Sequence, residues 1–272
     1  MERIGALIPI RLDSSRLPNK ALQDIAGVPA LERLIVQVLA CGHIVRNNVI
    51  ICTTERPQDD SLVEAAARCG VRLFRGSTDD LIDRLFRAAQ AAALDVVLEV
   101  DGDDICAAPG YMAACIEAVL SGAAEVALSG VGLPLGMGSK AFRADCLARI
   151  VAAYIPGRND TGFGYYLTAS KLFRVVRLVV RAEHAMPDLR LTLDYAQDLE
   201  LFRAVYRALR PARGGAVTPD DVCALLRRRP ELREINAGLD EGYQQRTREL
   251  IQRYPLRLRV ADAIVHLGSD ED

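Results

Sequence analysis

Five residues of the opening stretch IGALIPIRLDSSRLPNK could hold an anion together: Arg11, Ser14, Ser15, Arg16 and Lys20. Three fixed positive charges within ten residues, with two hydroxyls and several backbone N–H donors between them, suit a polyphosphate. The opposite chemistry gathers in DGDD, where Asp101, Asp103 and Asp104 place three carboxylates within four residues. Such a cluster repels itself unless something positive neutralises it. Oxygen-only ligands suit Mg²⁺, which keeps waters and is completed by substrate phosphates. A second, distant carboxylate is Asp194 in LTLDYAQDLE, with Asp198 one turn later. Asp194 reads equally well as the N-cap of the helix that follows it. Combined, these residues predict a nucleoside triphosphate lying in the cationic loop, its reacting phosphate beside a metal held by Asp103 and Asp194.

Those residues need a frame that brings them together. The apolar run at residues 4–10 reads as a buried strand feeding the cationic loop. Leu31, Leu34, Ile35, Val38 and Leu39 then recur at helical spacing up to Cys41-Gly42. NNVIICTTE is a second strand, and residues 59–69 form a helix with Leu62, Val63 and Ala66 inward. VRLFRG is a third strand, and Ser77 is expected to cap the helix bearing Leu81, Leu85, Ala88 and Ala89. Residues 96–100 form a strand that stops on DGDD. The order β-α-β-α-β-α-β predicts a three-layer α/β/α fold on a mainly parallel sheet, whose ligands sit at the carboxyl ends of the strands. Both the cationic loop and DGDD follow such ends.

Further along, a helix over 109–120 and a strand over 125–128 precede a less regular stretch, 131–184. It holds a Gly-rich loop, a helix from about Ala144 and the strand candidate FRVVRLVV, and it reads as an insertion that contacts an acceptor or a second subunit. A strand over 190–193 turns into helix near Asp194. The domain expectation is a unit over 1–210 and a helical extension over 211–272. That extension opens with the linker RPARGGA and the helix start Thr218-Pro219-Asp220-Asp221, with Val222, Leu225 and Leu226 inward. A second helix over 241–253, an apolar run over 256–264 and a disordered acidic tail complete it.

A net charge of -2 argues against a general nucleic-acid surface and requires any phosphate ligand to be met locally. Seven cysteines without C-x-x-C pairs or companion histidines read as small core residues in a reducing compartment. The first residues lack a signal-peptide core, and no stretch reaches eighteen apolar residues, so a cytoplasmic protein without a membrane span is expected. The loop is neither a Walker A motif nor a G-x-G-x-x-G turn, and no G-x-S-x-G or H-E-x-x-H motif points to a hydrolase.

The run R-x-x-S-x-R-L-P-x-K, here Arg11, Ser14, Arg16, Leu17, Pro18 and Lys20, with L-x-D-I-x-G-x-P after it, resembles the sugar-activating cytidylyltransferases. These include the CMP-3-deoxy-manno-octulosonate and CMP-acylneuraminate synthetases. The likeness is strongest to the spore-coat polysaccharide biosynthesis F-type branch, through FRGSTDDLIDR, the strand ending in GD, RLTLD-x-x-x-DLE and the PEL-x-x-IN run ending at Asn236. The resemblance implies a nucleotide-diphospho-sugar transferase fold related to the GT-A glycosyltransferases. It also implies transfer of CMP from CTP to an acidic sugar with release of pyrophosphate, Mg²⁺ dependence and a homodimer built through 131–184. It places triphosphate contacts on Arg11, Ser14, Arg16 and Lys20 and metal ligands on Asp103 and Asp194. Ile8, Pro9, Ser15 and Asp101 are expected along the nucleotide, and the base near Thr53 and Ser77. Arg84 and Arg190 are expected at the acceptor. The chain departs from the octulosonate enzymes at Asn19, where they carry glycine before the lysine, a difference that bears on how the loop turns. It departs again at DICAAP, where Asp104 and Ala108 take no assigned role.

Two other readings share these features. A glycosyltransferase using a nucleotide-sugar would explain Asp101-Gly102-Asp103 as a D-x-D motif, but would leave the charge of the opening loop without a γ-phosphate. A nucleotide-binding relative without turnover would need some of the motif positions to be missing, and all are present.

Overall fold

Strand β1 (Ile4–Pro9) is apolar on both of its faces, so the chain must cover both. A computed structural model, which describes residues 2–159, 162–211, 215–260 and 263–268, shows how. After β1 come the short strands β2 (Asp24–Ile25) and β3 (Val28–Pro29), helix α1 (Ala30–Ala40), β4 (Val49–Thr54), α2 (Ser61–Cys69) and β5 (Arg72–Gly76). Then follow α3 (Leu81–Ala91), β6 (Val96–Glu99), α4 (Pro109–Leu120), β7 (Val126–Leu128), β8 (Lys140–Arg143), α5 (Asp145–Ala153), α6 (Phe163–Thr168) and β9 (Val175–Arg177). The remainder is α7 (Ala196–Leu209), α8 (Pro219–Arg228), α9 (Pro230–Arg233), α10 (Leu239–Arg253) and the hairpin β10 (Leu256–Val260) and β11 (Ala263–Leu267).

Seven strands form one sheet in the order β5-β4-β1-β6-β8-β7-β9. The pairs β5·β4, β4·β1 and β1·β6 are parallel, β8 is antiparallel to both β6 and β7, and β7·β9 is parallel. Strand β8 alone therefore runs against the rest. Successive side chains point to opposite faces. Ala6 and Ile8 of β1 thus join one core with residues of α1, α2, α4, α7 and α8, while Leu7 joins another with α3, α5 and α6. This is the three-layer α/β/α arrangement expected. The register Leu7↔Glu99 sets the ends of β1 and β6 side by side, so the cationic loop and DGDD leave the same edge of the sheet.

Several local expectations change. Ser77 does not cap α3; Asp80 does, its carboxylate accepting from the Asp83 N–H at 3.0 Å while Ser77 Oγ accepts from Asp80 N at 3.1 Å. Either side chain can cap, and the one adjoining the apolar stripe takes the role. On α2 Val63 is 45% exposed and Ala65 faces inward with Leu62 and Ala66. Residues 190–193 make only one isolated bridge, Leu135 with Arg190, rather than a strand. The apolar run after α10 folds back as the β10–β11 hairpin. Stretch 131–184 is woven into the sheet through β8 and β9. The acidic tail from residue 269, and residues 212–214 of the linker, lie outside the described residues. Among the described residues no helix is long and apolar enough to cross a membrane.

All seven cysteines are free thiols, and all but Cys69 are buried. Burial pushes Cys52, Cys106, Cys115 and Cys146 up to about 12. A thiol-specific dye at pH 8 should therefore modify Cys69 ahead of the other six, which should react only after denaturant is added. Raising the pH ionises these thiols first in the unfolded chain, near their ordinary value of about 8.5. Their contribution to stability is thus complete below that pH and is lost as pH rises toward about 12. Urea midpoints at pH 8 and pH 10.5 measure the fall.

Candidate active site

The loop after β1 is tied down before it reaches the site. Asp59, fully buried, accepts from Leu12 N at 2.8 Å and from the Thr54 hydroxyl. Asp13 bridges Arg56 at 2.5 Å and lies 3.6 Å from Arg11. Ser14 Oγ accepts from Leu17 N at 3.3 Å. Asn19 has φ +53° and ψ +32°, the left-handed conformation that asparagine tolerates better than other non-glycine residues. The loop can thus make a left-handed turn before Lys20 without glycine.

The turn delivers Lys20 to the acids. Its Nζ donates to Asp103 Oδ2 at 2.5 Å and to Asp194 Oδ1 at 2.8 Å. Arg16 joins the same Asp194 oxygen at 2.8 Å and donates to Tyr195 Oη at 3.2 Å. Asp103 and Asp194, ninety-one residues apart, are held in reach by one backbone bond, Leu193 N to Asp103 O at 3.0 Å. The turn carrying Asp103 presses on β1, since a Cβ on Gly102 would stand 2.3 Å from Ile10 Cγ1 and 2.7 Å from Pro9 O. Only glycine fits that crossing.

Behind Asp194 stands a second layer. Asp198, with no exposed surface, accepts from Asp194 N and Tyr195 N, both at 2.9 Å, so Asp198 and not Asp194 closes the start of α7. Arg190 donates to Asp194 Oδ2 at 2.7 Å and to Asp198 Oδ1 at 3.2 Å. Asn236, the last residue of PEL-x-x-IN, donates to Asp198 Oδ1 at 2.8 Å and to Arg190 O at 3.1 Å. The Arg190 guanidinium also lies 4.6 Å from the ring centre of Tyr243 on α10.

Burial works against charge throughout this cluster. Asp194 is nevertheless held below the usual carboxylate range by Lys20, Arg16 and Arg190. Desolvation raises Asp103, which the Lys20 ammonium only partly offsets, and raises Asp104 well above the usual range. Lys20 itself is held charged by Asp103 and Asp194 despite its burial.

Sequence patterns missed a second lysine. Lys140 on β8 is the register partner of Glu99 on β6, and its Nζ donates to Glu99 Oε2 at 2.5 Å and Asp101 Oδ2 at 3.2 Å. Burial, with Asp101 nearby, pushes the Glu99 carboxyl up to about 7. The available signal was Glu99 itself, one acid inside the otherwise apolar strand VVLEV. Also missed was the part that α10 takes in the site: the helix was expected, but not that its Tyr243, Arg246, Thr247 and Leu250, at i, i+3, i+4 and i+7 on one face, line the cleft.

The cleft has a volume of about 570 Å³. Of the expected residues it gathers Pro9, Arg11, Ser14, Ser15, Arg16, Lys20, Arg84, Asp101, Asp103 and Asp194 on its lining. Ile8, Thr53, Ser77 and Arg190 do not line it. Ile8 and Thr53 have no exposed surface, and Arg190 is 3% exposed with its guanidinium committed to Asp194 and Asp198. That commitment makes Arg190 a support for Asp194 rather than an acceptor contact. Arg84 reaches the lining, but its Nη1 donates to Ser77 O at 3.0 Å. Among the described residues no three His, Cys, Asp or Glu side chains surround a common point as a ready metal cage.

Comparison with known proteins gives one family and several relatives. The family model described as cytidylyltransferase matches residues 5–206. The spore coat polysaccharide biosynthesis protein SpsF of Bacillus subtilis is 26% identical over 235 residues, covering 85% of this chain and 97% of that protein. The 3-deoxy-manno-octulosonate cytidylyltransferase of Methylibium petroleiphilum is 40% identical over 114 residues, 40% of each chain. A solved cytidylyltransferase from Leptospira borgpetersenii superposes with a TM-score of 0.73 at 22% identity, over 86% of this chain and 97% of that one.

The left-handed turn at Asn19 gives a direct check on the loop. Asn19→Gly should leave stability within about 0.5 kcal/mol, whereas Asn19→Val should cost about 1–2 kcal/mol and misplace Lys20. Urea denaturation of the two variants measures the difference.

Proposed function

This chain belongs to the cytidylyltransferase family, and we propose that it transfers CMP from CTP to a small anionic acceptor, releasing pyrophosphate. The observation that carries this reading is the Lys20 ammonium shared by Asp103 and Asp194, with Arg16 on the same Asp194 oxygen. Three segments remote in sequence meet there at the carboxyl edge of the sheet, where such folds bind ligands.

In this reading Arg11, Ser14, Ser15 and Arg16 hold the β- and γ-phosphates and, after reaction, the leaving pyrophosphate. The protein contributes position and charge, not a covalent nucleophile. The convergence of two carboxylates on one cation, 2.5 and 2.8 Å away, fits a hard divalent ion such as Mg²⁺, with phosphate oxygens completing its shell. When bound, Mg²⁺ would offset the negative charge developing at the α-phosphate. Asp198, Arg190 and Asn236 keep Asp194 oriented, and Lys140 keeps Glu99 and Asp101 from repelling DGDD open.

For the acceptor we look to the other wall of the cleft, where Arg158 on the 131–184 stretch and Arg246 and Thr247 on α10 stand. Two guanidinium groups there suit an acceptor bearing a carboxylate. The names of the relatives, one an octulosonate cytidylyltransferase and one a spore-coat polysaccharide protein, support an acidic sugar destined for a surface polysaccharide. Residues 1–210 then form the nucleotidyltransferase unit, and the extension after it walls the acceptor side. A homodimer through 131–184 is consistent with Val131 at 83% and Val179 at 91% exposure, on the segments that continue β7 and β9.

Purified protein given CTP, Mg²⁺ and a panel of sugars bearing a carboxylate, a phosphate or neither should release pyrophosphate, with CTP preferred over ATP, GTP and UTP. Asp103→Asn should lower kcat/KM about 10²-fold or more while far-UV circular dichroism is unchanged. If no acceptor supports turnover and calorimetry detects no CTP binding, the reading fails. Sedimentation should show a dimer that Val179→Asp weakens; a monomeric wild type would remove the dimer from it.

A further inference from the structure

Asp194 has no uncommitted oxygen. Its Oδ1 receives Lys20 and Arg16, both at 2.8 Å, and its Oδ2 receives Arg190 at 2.7 Å. Any further cation on this carboxylate must displace one already there. Arg190 is fixed, being 3% exposed and held by Asp198 as well. Arg16 touches Asp194 but not Asp103. Among the described residues Lys20 alone bridges both acids, and its Nζ takes the position from which a single ion can reach the two together. Its side chain is 17% exposed and stands at the end of the cationic loop on the lining of the cleft. An ammonium on a four-carbon stem can swing between partners more readily than a planar guanidinium fork held by two acids.

We infer that Lys20 is a built-in counter-ion for the Asp103–Asp194 pair, released to a triphosphate when one arrives, so that a divalent cation enters with the nucleotide and not before it. This rests on the nucleotidyltransferase reading for the identity of the anion that takes Lys20. The exclusion of the ion from the free protein does not depend on it. Without Lys20 and without an ion, Asp194 would keep Arg16 and Arg190, but Asp103 would lose its ion pair, with Asp101 and Asp104 close by, a concentration of like charge that draws in a cation. With Lys20 present, the two carboxylates are already neutralised and an incoming ion meets a positive charge at short range. The exchange keeps the number of cations at the acids constant while moving one positive charge onto the substrate.

The test needs no substrate. Binding of Mn²⁺ to the nucleotide-free protein, followed by electron paramagnetic resonance of the free ion, should be weak in the wild type. It should be at least tenfold tighter in Lys20→Met, and weak again in Lys20→Arg, which restores the charge. The gain should vanish when Asp103→Asn is added to Lys20→Met, which would locate the ion at these carboxylates. Lys20→Gln serves the same purpose if the methionine variant folds poorly, with circular dichroism checking each protein. Equal Mn²⁺ affinity in wild type and the neutral variants, or a gain that survives Asp103→Asn, overturns the inference. Failure of the wild type to turn over CTP would instead count against the proposed reaction and leave this measurement standing.

Discussion

One ammonium between two carboxylates is the interaction on which the arrangement of this site depends. Asp103 lies in the loop after β6 and Asp194 precedes α7, and the hydrogen bond from Leu193 N to Asp103 O brings their backbones together. That contact alone would set two acids against each other beside Asp101 and Asp104. Lys20 makes the approach tolerable, and to be there it requires the loop after β1 to end in a left-handed turn. The parallel pairing of β1 and β6, in the register Leu7↔Glu99, puts that loop on the same edge as the acids. Sheet order, turn conformation and charge are therefore linked parts of one solution.

The second layer explains residues whose purpose is invisible from the cleft. Asp198 is hydrogen-bonded to the backbone N–H groups of Asp194 and Tyr195, and so fixes the direction of the Asp194 side chain through the main chain. Arg190 and Asn236 satisfy the remaining oxygen of Asp198, Oδ1, and Asn236 comes from a segment after α9. Tyr243 then covers Arg190 from α10. The extension beyond α7 is thus bound to the site by an amide, by an aromatic face and by the Asp240 carboxylate, 3.7 Å from Arg190 Nη1. Neighbouring groups that orient a functional carboxylate in this way hold it more narrowly than its own rotamer preferences would.

The helices and strands around the first four sheet strands were legible because each has a clean period and a clear stop, as in α1 before Cys41-Gly42 or α4 from Pro109 to Leu120. The cationic loop, DGDD and Asp194 were legible because unlike charges concentrate at predicted strand ends. What was not legible required register or long-range packing. Lys140 reaches Glu99 only because β8 runs antiparallel beside β6, and no local spacing in GMGSKAF announces that pairing. Arg190 looked available because a lone arginine opening a strand-like run carries no sign of the acids that saturate it. Thr53 was placed at the base from its position at a strand end, yet β4 is buried along its whole length. Helix α10 was expected but given no part in the site, since a stripe of Tyr, Arg, Thr and Leu is ordinary on a solvated helix until a cleft lies beneath it.

Such a network is a poor way to stabilise a fold. Each ion withdrawn from water costs several kcal/mol before its partners compensate, and buried ion pairs often contribute less than apolar side chains of the same volume. The sheet interior provides the stability instead, through fully buried residues such as Leu7, Ile8, Val97 and Leu98. What Arg190 and Lys140 contribute at its edge is orientation, because charges fixed by the fold need not reorganise when a charged substrate arrives. The placement follows from the topology. The apolar strands supply a rigid base, and the polar loops at their carboxyl ends supply the only positions where so many charges can be held close together and still reach a ligand. Unlike charges at one edge of an apolar sheet therefore make the region least favourable to folding stability also the region best prepared for a polyphosphate.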